Sequence, residues 1–175
     1  MASALEQHFA MPQVFAAVSI SEVAATKVWQ LEGFASVETQ VAELTKLSVP
    51  SAGKFTEDSD QRLVWQGKDR YFWLTDVTSI ESTQDFYATD QSQGKTQLQV
   101  SGEDARALLA RGIPVELDEQ AFAVGDIKMT HINHIGVSIM RLADVAGQPV
   151  FELWVMRGFA VSLMEFLTAS AATLR

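Results

Sequence analysis

Residues 89–112, TDQSQGKTQLQVSGEDARALLARG, decide how the chain is divided. From Lys95 to Val100, the residues Thr96, Leu98 and Val100 alternate with Lys95, Gln97 and Gln99, the period of a strand with one buried face. Ser101 stands three residues before Asp104, a capping-box spacing in which the hydroxyl accepts from a first-turn amide and the carboxylate reaches back. Glu103 and Asp104 then occupy the first turn of a helix and Arg111 its last, which matches the macrodipole. Ala105, Leu108 and Leu109 form its buried stripe, and Gly112 is placed for a left-handed C′ residue. Ahead of the strand, Asp90 reads as a turn residue that caps backbone amides. The stretch closes one α+β half and opens another.

Towards the N-terminus, Lys27 to Phe34 alternates with Trp29 and Leu31 on the more apolar side, which predicts a strand. Ser36 is a candidate N-cap for a helix to about Lys46, with Val37, Val41, Leu44 and Leu47 at helical spacing. Pro50, Ser51 and Gly53 open a polar loop through Glu57, Asp58 and Asp60. Arg62–Gln66 and Arg70–Thr75 flank Gly67-Lys68-Asp69, a hairpin signal. Asp76 is placed to cap a short helix to about Thr83, and Phe86–Gln91 reads as the next strand. That order, β-α-β-β-α-β, is typical of ferredoxin-like units. The apolar residues of FAAVSISEV fit neither period, so residues 1–24 are expected to form an arm placed against a partner.

Beyond Gly112, Pro114 and Gly125 bracket a loop anchored by Phe122. Asp126–Asn133 and Gly136–Leu142 read as a hairpin, Ala146-Gly147-Gln148 as a turn into an apolar strand, Pro149–Val155, and Phe159–Ala172 as an amphipathic helix. The expected fold is α+β, two tightly packed ferredoxin-like halves with antiparallel-rich sheets. Residues 25–91 form the first half and 92–175 the second, packed as one compact unit.

A chain of 175 residues can bury about 70% of its extended surface. Its net charge of −9, from 22 acidic and 13 basic residues, disfavours nucleic acid and anionic membranes, both of which are held by Lys and Arg. With no cysteine, disulfides, thiolate zinc sites, cysteine-ligated iron–sulfur clusters and thiol nucleophiles are excluded. MASALEQHFAMPQVF lacks the basic and apolar regions of a signal peptide, and no apolar run reaches the ~18 residues of a membrane span. The expected compartment is the cytoplasm.

Catalytic signals are absent from the sequence. His131-x-x-His134 resembles a metal pair, but residues three apart on a strand face opposite ways and no third ligand is near. The chain has no G-x-S-x-G, no G-x-G-x-x-G and no P-loop. Arg141 and Arg157, beside apolar runs, either hold a carboxylate ligand or lie on an exposed or interface edge. No catalytic, cofactor-binding or metal-binding residue is therefore assigned. The surplus of large apolar residues, among them Phe9, Met11, Val14, Phe15, Trp154 and Met156, points to association with another chain.

Asp90, Ser92, Leu98, Gly102, Ala105–Ala110, Gly112, Leu117, Phe122 and Gly125 make a pattern that resembles the gamma subunit of heterotetrameric sarcosine oxidase. So do Gly67, Trp73 and Leu74 in the first hairpin, and Arg157, Phe159, Ala160 and Leu163 before and in the last helix. The resemblance runs over about residues 25–172 and extends to the folate-binding aminomethyltransferase superfamily. It implies an aminomethyltransferase-like fold and a place among alpha, beta and delta subunits that oxidatively demethylate sarcosine with oxygen and tetrahydrofolate. The products implied are glycine, hydrogen peroxide and 5,10-methylenetetrahydrofolate. FAD, FMN, NAD, tetrahydrofolate and zinc would belong to the other subunits, leaving this chain a role in assembly and stability. A complex acting on a related N-methyl amine, or a stand-alone folate-binding module, would share the pattern. The iron–sulfur-assembly branch of the superfamily carries a cysteine in a K-G-C motif, which this chain lacks.

Overall fold

In the computed structural model, which describes residues 3–24 and 26–174, the strand expected at 95–100 runs Lys95–Ser101 within a six-stranded antiparallel sheet. The chain opens with β1 (Gln13–Phe15), β2 (Val18–Glu22), β3 (Lys27–Gly33) and α1 (Val37–Thr45). Four strands follow, β4 (Phe55–Glu57), β5 (Arg62–Gly67), β6 (Arg70–Thr75) and β7 (Phe86–Asp90). The remainder is β8 (Lys95–Ser101), α2 (Ala105–Ala110), β9 (Ile127–Ile132), β10 (Ile135–Val145), β11 (Gln148–Met156), a 3₁₀ turn (Arg157–Phe159) and α3 (Ala160–Ala171). These elements divide into two compact units, Met1–Ala25 with Gly94–Arg175, and Thr26–Gln93.

In the first unit the strand order is β1-β2-β8-β11-β10-β9, every pairing antiparallel. Alternation sends Leu98 and Val100 of β8, with Phe151, Leu153 and Val155 of β11, to the face covered by α2 and α3. There they meet Ala105, Leu108, Leu109, Leu163 and Leu167, each buried side chain contributing about 1.5–3 kcal/mol. Two-residue turns set the register of the hairpins. Asn133 and His134 have φ 45° and 69°, and Ala146 and Gly147 have 51° and 75°, the mirror-image turns whose twist suits paired strands.

In the second unit the order is β4-β5-β6-β3-β7. Trp29 lies opposite Trp73 and Leu31 opposite Tyr71 on the face that receives Val37 and Val41 of α1. The fold class is thus α+β with two antiparallel sheets, as the pattern of alternation predicts.

Several local expectations fail for identifiable reasons. Residues expected as an arm form β1 and β2, with Ile20 paired to Val100 of β8 and Leu5, Val18 and Ile20 buried in the core. No helix forms at 76–83, so the first half is not β-α-β-β-α-β. That stretch is rich in β-branched residues, which lose χ1 freedom in a helix. Its polar groups are also taken by neighbouring strands: the Trp29 indole donates to the Val77 carbonyl and the Ala88 amide donates to Ser82 Oγ. The loop expected at 50–60 contains β4.

Ser36 stands at the N-cap of α1 as expected but makes no side-chain cap bond, and Ser101 is not the N-cap of α2. Ser36 has φ 50° rather than the extended backbone that aims an N-cap hydroxyl at the first-turn amides. Ser101 stays in β8, and Asp104 takes the N-cap position without a side-chain bond. Gly102, at φ 120°, lets the chain pass the Ala17 carbonyl, which an added Cβ would meet at 2.1 Å. Gly112 is not left-handed. It is small because α3 lies over it, an added Cβ falling 2.7 Å from the Phe166 ring.

Candidate functional site

Asp90 ends β7, where it accepts from the Ser92 amide at 2.9 Å, from Ser92 Oγ at 2.5 Å and from Lys27 Nζ at 2.6 Å. Ser92 Oγ in turn accepts from the Val28 amide. The Lys27 hydrogen bond, then that of Ser92, holds the Asp90 carboxyl down to about 2. The Ser92 amide bond is the backbone cap expected of Asp90 as a turn residue, and the Lys27 bond further ties β7 to β3.

Arg141, on β10, is fully buried. Its guanidinium donates to the carbonyls of Leu142 and Val150, pairs with Asp144, and lies 5.3 Å from the centroid of the Phe151 ring. Arg106 approaches the same ring at 5.8 Å. Arg141 is thus a structural cation stacked inside the first unit, and its Nε is left without a partner.

Arg157 has a different setting. Its Nη2 donates to the Ser3 carbonyl, and with Glu6, His8 and Gly158 it lines a polar recess of about 510 Å³. A second groove of about 440 Å³ runs along the β1–β2 turn, lined by Val14, Ala17, Ser101, Gly102, Val145 and Gln148. It is more apolar than the first, and Val14 and Val145 stand 70% and 65% exposed at its rim.

The histidines do not converge. His131 is an exposed residue of β9 and His134 an exposed residue of the turn that follows. Among the described residues, no three His, Asp, Glu or Cys side chains are gathered as a metal would need. Of the apolar surplus, Trp154 is buried, Phe9, Met11 and Phe15 pack partly against the core, and Val14 and Met156 remain exposed.

Two features escaped the sequence reading. Glu152 is a lone carboxylate in the apolar strand PVFELWVM; it is buried, and accepts from the Trp154 indole at 2.5 Å. The interruption of an apolar run was the visible signal. Phe34 is 83% exposed and stacks edge-on against Tyr87 at 5.9 Å. By alternation it falls on the side opposite Trp29 and Leu31, and it lies just past the end of β3. Asp90 in the second unit and Arg141 in the first are thus each held by side chains and backbone groups of their own unit.

No protein-family model and no curated protein sequence matches the chain. Solved structures do. A chain of the heterotetrameric sarcosine oxidase from Corynebacterium sp. U-96, solved with pyrrole 2-carboxylate, aligns at TM-score 0.80 and 19% identity. The alignment covers 92% of this chain and 87% of that one. The glycine cleavage system aminomethyltransferase T from Bartonella henselae aligns at TM-score 0.57 and 15% identity, over 87% of this chain but 46% of its own. At such identities the likeness is one of fold: this chain has the architecture of a sarcosine oxidase chain of nearly its own length, which is also part of an aminomethyltransferase.

Proposed function

We propose that the chain is the gamma-type subunit of a heterotetrameric sarcosine oxidase, serving assembly and stability while other subunits carry the chemistry. The observation that carries this reading is extent. The chain aligns with most of one sarcosine oxidase chain, 87%, but with only 46% of the aminomethyltransferase. The motifs from Asp90 to Gly125 support the same family. The reaction expected of the complex is oxidative demethylation of sarcosine with oxygen and tetrahydrofolate, in the cytoplasm. Alpha, beta and delta subunits would hold FAD, FMN, NAD, folate and zinc.

Affinity purification of the tagged chain from its native host tests this. Two or three larger chains carrying flavin and zinc should come with it, together with sarcosine-dependent hydrogen peroxide formation. Recovery of the chain alone would overturn the reading, and activity on another N-methyl amine would narrow it to a related demethylase. The fold shared with the aminomethyltransferase favours one further reading, a stand-alone folate-binding module. Heat released on titrating tetrahydrofolate into the isolated chain would support that alternative.

A further inference from the structure

Of the edge strands of the two sheets, β1, β4 and β7 are blunted. β1 and β4 have three residues each, and Pro12 stands directly before β1. The outer edge of β7 is taken up within its own unit: the Ala88 amide donates to Ser82 Oγ, and the Phe86 carbonyl accepts from the Thr83 amide. Short strands, proline and a covering loop are the ordinary defences of a sheet edge against another chain. β9 lacks them. It has six residues and no proline, and it pairs with β10 from Ile127 to Ile132 without a bulge.

Register decides which of its main-chain groups are open. Asn133 and His134 alone separate Ile132 from Ile135, and just before β9 the Arg141 amide donates to the Asp126 carbonyl. Even-numbered residues of β9 therefore bond to β10, and the N–H and C=O groups of Ile127, Met129 and His131 point away from the sheet. Among the described residues nothing takes them up. Open groups at every second residue are met by one kind of occupant, an extended segment that continues the sheet.

Side chains decide whose segment it is. On one side of β9, Met129 is 51% exposed and offers an apolar contact. On the other, Lys128 Nζ donates to the Ala121 carbonyl and lies 5.1 Å from the centroid of the Phe122 ring. No carboxylate among the described residues pairs with it, and Asp126 turns its own to the Ala123 amide. From Ile127 to Ala143 there is no acidic residue, in a chain that has 22. A cation unopposed on an edge strand is complementary to a carboxylate on the strand opposite. A second copy does not supply one. Paired with itself about Met129, β9 would set Lys128 opposite Thr130 and bring together two chains of charge −9.

We propose that the outer edge of β9 is a docking site for an extended segment of another protein chain. The segment adds as a further strand of the first unit's sheet, with an acidic residue beside Lys128 next in sequence to an apolar residue beside Met129. That this partner belongs to the oxidase-type complex rests on the reading above; the open edge and the chemistry of the segment do not.

Hydrogen exchange at single amides tests it, in the isolated full chain and in the complex recovered from the native host, both read by NMR after quenching. In the isolated chain, Lys128, Thr130 and Ile132 should be protected, while Ile127, Met129 and His131 exchange freely. In the complex these three should slow about tenfold or more, an alternation that contact through side chains alone does not produce. Lys128→Glu should weaken association about fivefold or more, and Lys128→Arg should leave it unchanged.

Unchanged exchange of the three amides in an intact complex would overturn the proposal, as would equal slowing of all six. Protection that appears in the isolated chain as its concentration rises would overturn it in favour of a second copy. So would unchanged association of Lys128→Glu. The two readings fail separately. Flavin-bearing chains that co-purify and leave the three amides open sink only the docking edge. Alternate protection by a protein without flavin supports the edge and sinks the subunit reading. A chain recovered with no partner sinks both.

Discussion

Asp90 illustrates how single residues in this protein exchange chemistry for structure. Its carboxyl is held down to about 2 from an ordinary 3.8, first by the hydrogen bond from Lys27 and then by Ser92. A carboxyl more acidic when folded stabilises the fold above its unfolded pKa, and the contribution is lost as pH falls through about 2. With 38% of the side chain exposed, screening keeps it to about 1 kcal/mol or less. Asp90→Asn should therefore be less stable by up to that amount near neutrality, in chemical denaturation, and converge with the unaltered protein near pH 2. Gly112→Ala pushes a methyl to 2.7 Å from Phe166 and should cost about 1–3 kcal/mol; adding Phe166→Leu should recover part of it. Arg141 and Asp144 form an asymmetric pair, with side chains 0% and 42% exposed. Asp144→Ala strands a buried cation and should cost about 3 kcal/mol, more than Arg141→Met, which removes the charge at similar volume.

At the scale of elements, the N-terminal residues changed role most between sequence and structure. They are short of clear periodicity because β1 has only three residues and the chain crosses from Leu5 to β2 by loops and turns. Yet Leu5, Val18 and Ile20 are buried, and β2 pairs along β8. Removing residues 1–24 strips a side chain contribution of roughly 5 kcal/mol, the scale of a whole domain's stability. The shortened protein should be insoluble or show no cooperative thermal transition, where loss of a free arm would leave the melt unchanged. By contrast, β3, β5, β6, β8, β10, β11 and α3 were all legible. Each is an alternating run, an apolar run beside a turn, or a helical period that can be read without distant neighbours. The segment 76–83 was misread because Asp76 looks like a cap, while the bonds that deny it a helix come from Trp29, distant in sequence, and from Ala88 on the following strand.

At the scale of the molecule, a charge of −9 favours association steered by opposite charge. If the chain assembles with larger subunits, the rate of association should fall as salt rises from about 0.05 to 0.5 M, while dissociation changes less, in surface-binding kinetics. No helix among the described residues is long and apolar enough to cross a membrane.

What the sequence determined by itself was periodic and local. The stretch 89–112 carried the strand, the helix and their buried stripes, because alternation and helical spacing report which side of an element meets a core. Asp90 was legible as a turn residue for the same reason, its partner Ser92 lying two residues away. The tertiary structure alone decided what needs distant partners. Ser101 and Gly112 were read as helix punctuation, but the pull of β2 and β11 keeps Ser101 in the sheet, and the ring of Phe166 explains why position 112 must be small. Arg141 became a buried cation and Phe34 an exposed ring only once the sheets had closed, since burial is a property of neighbours rather than of residue type.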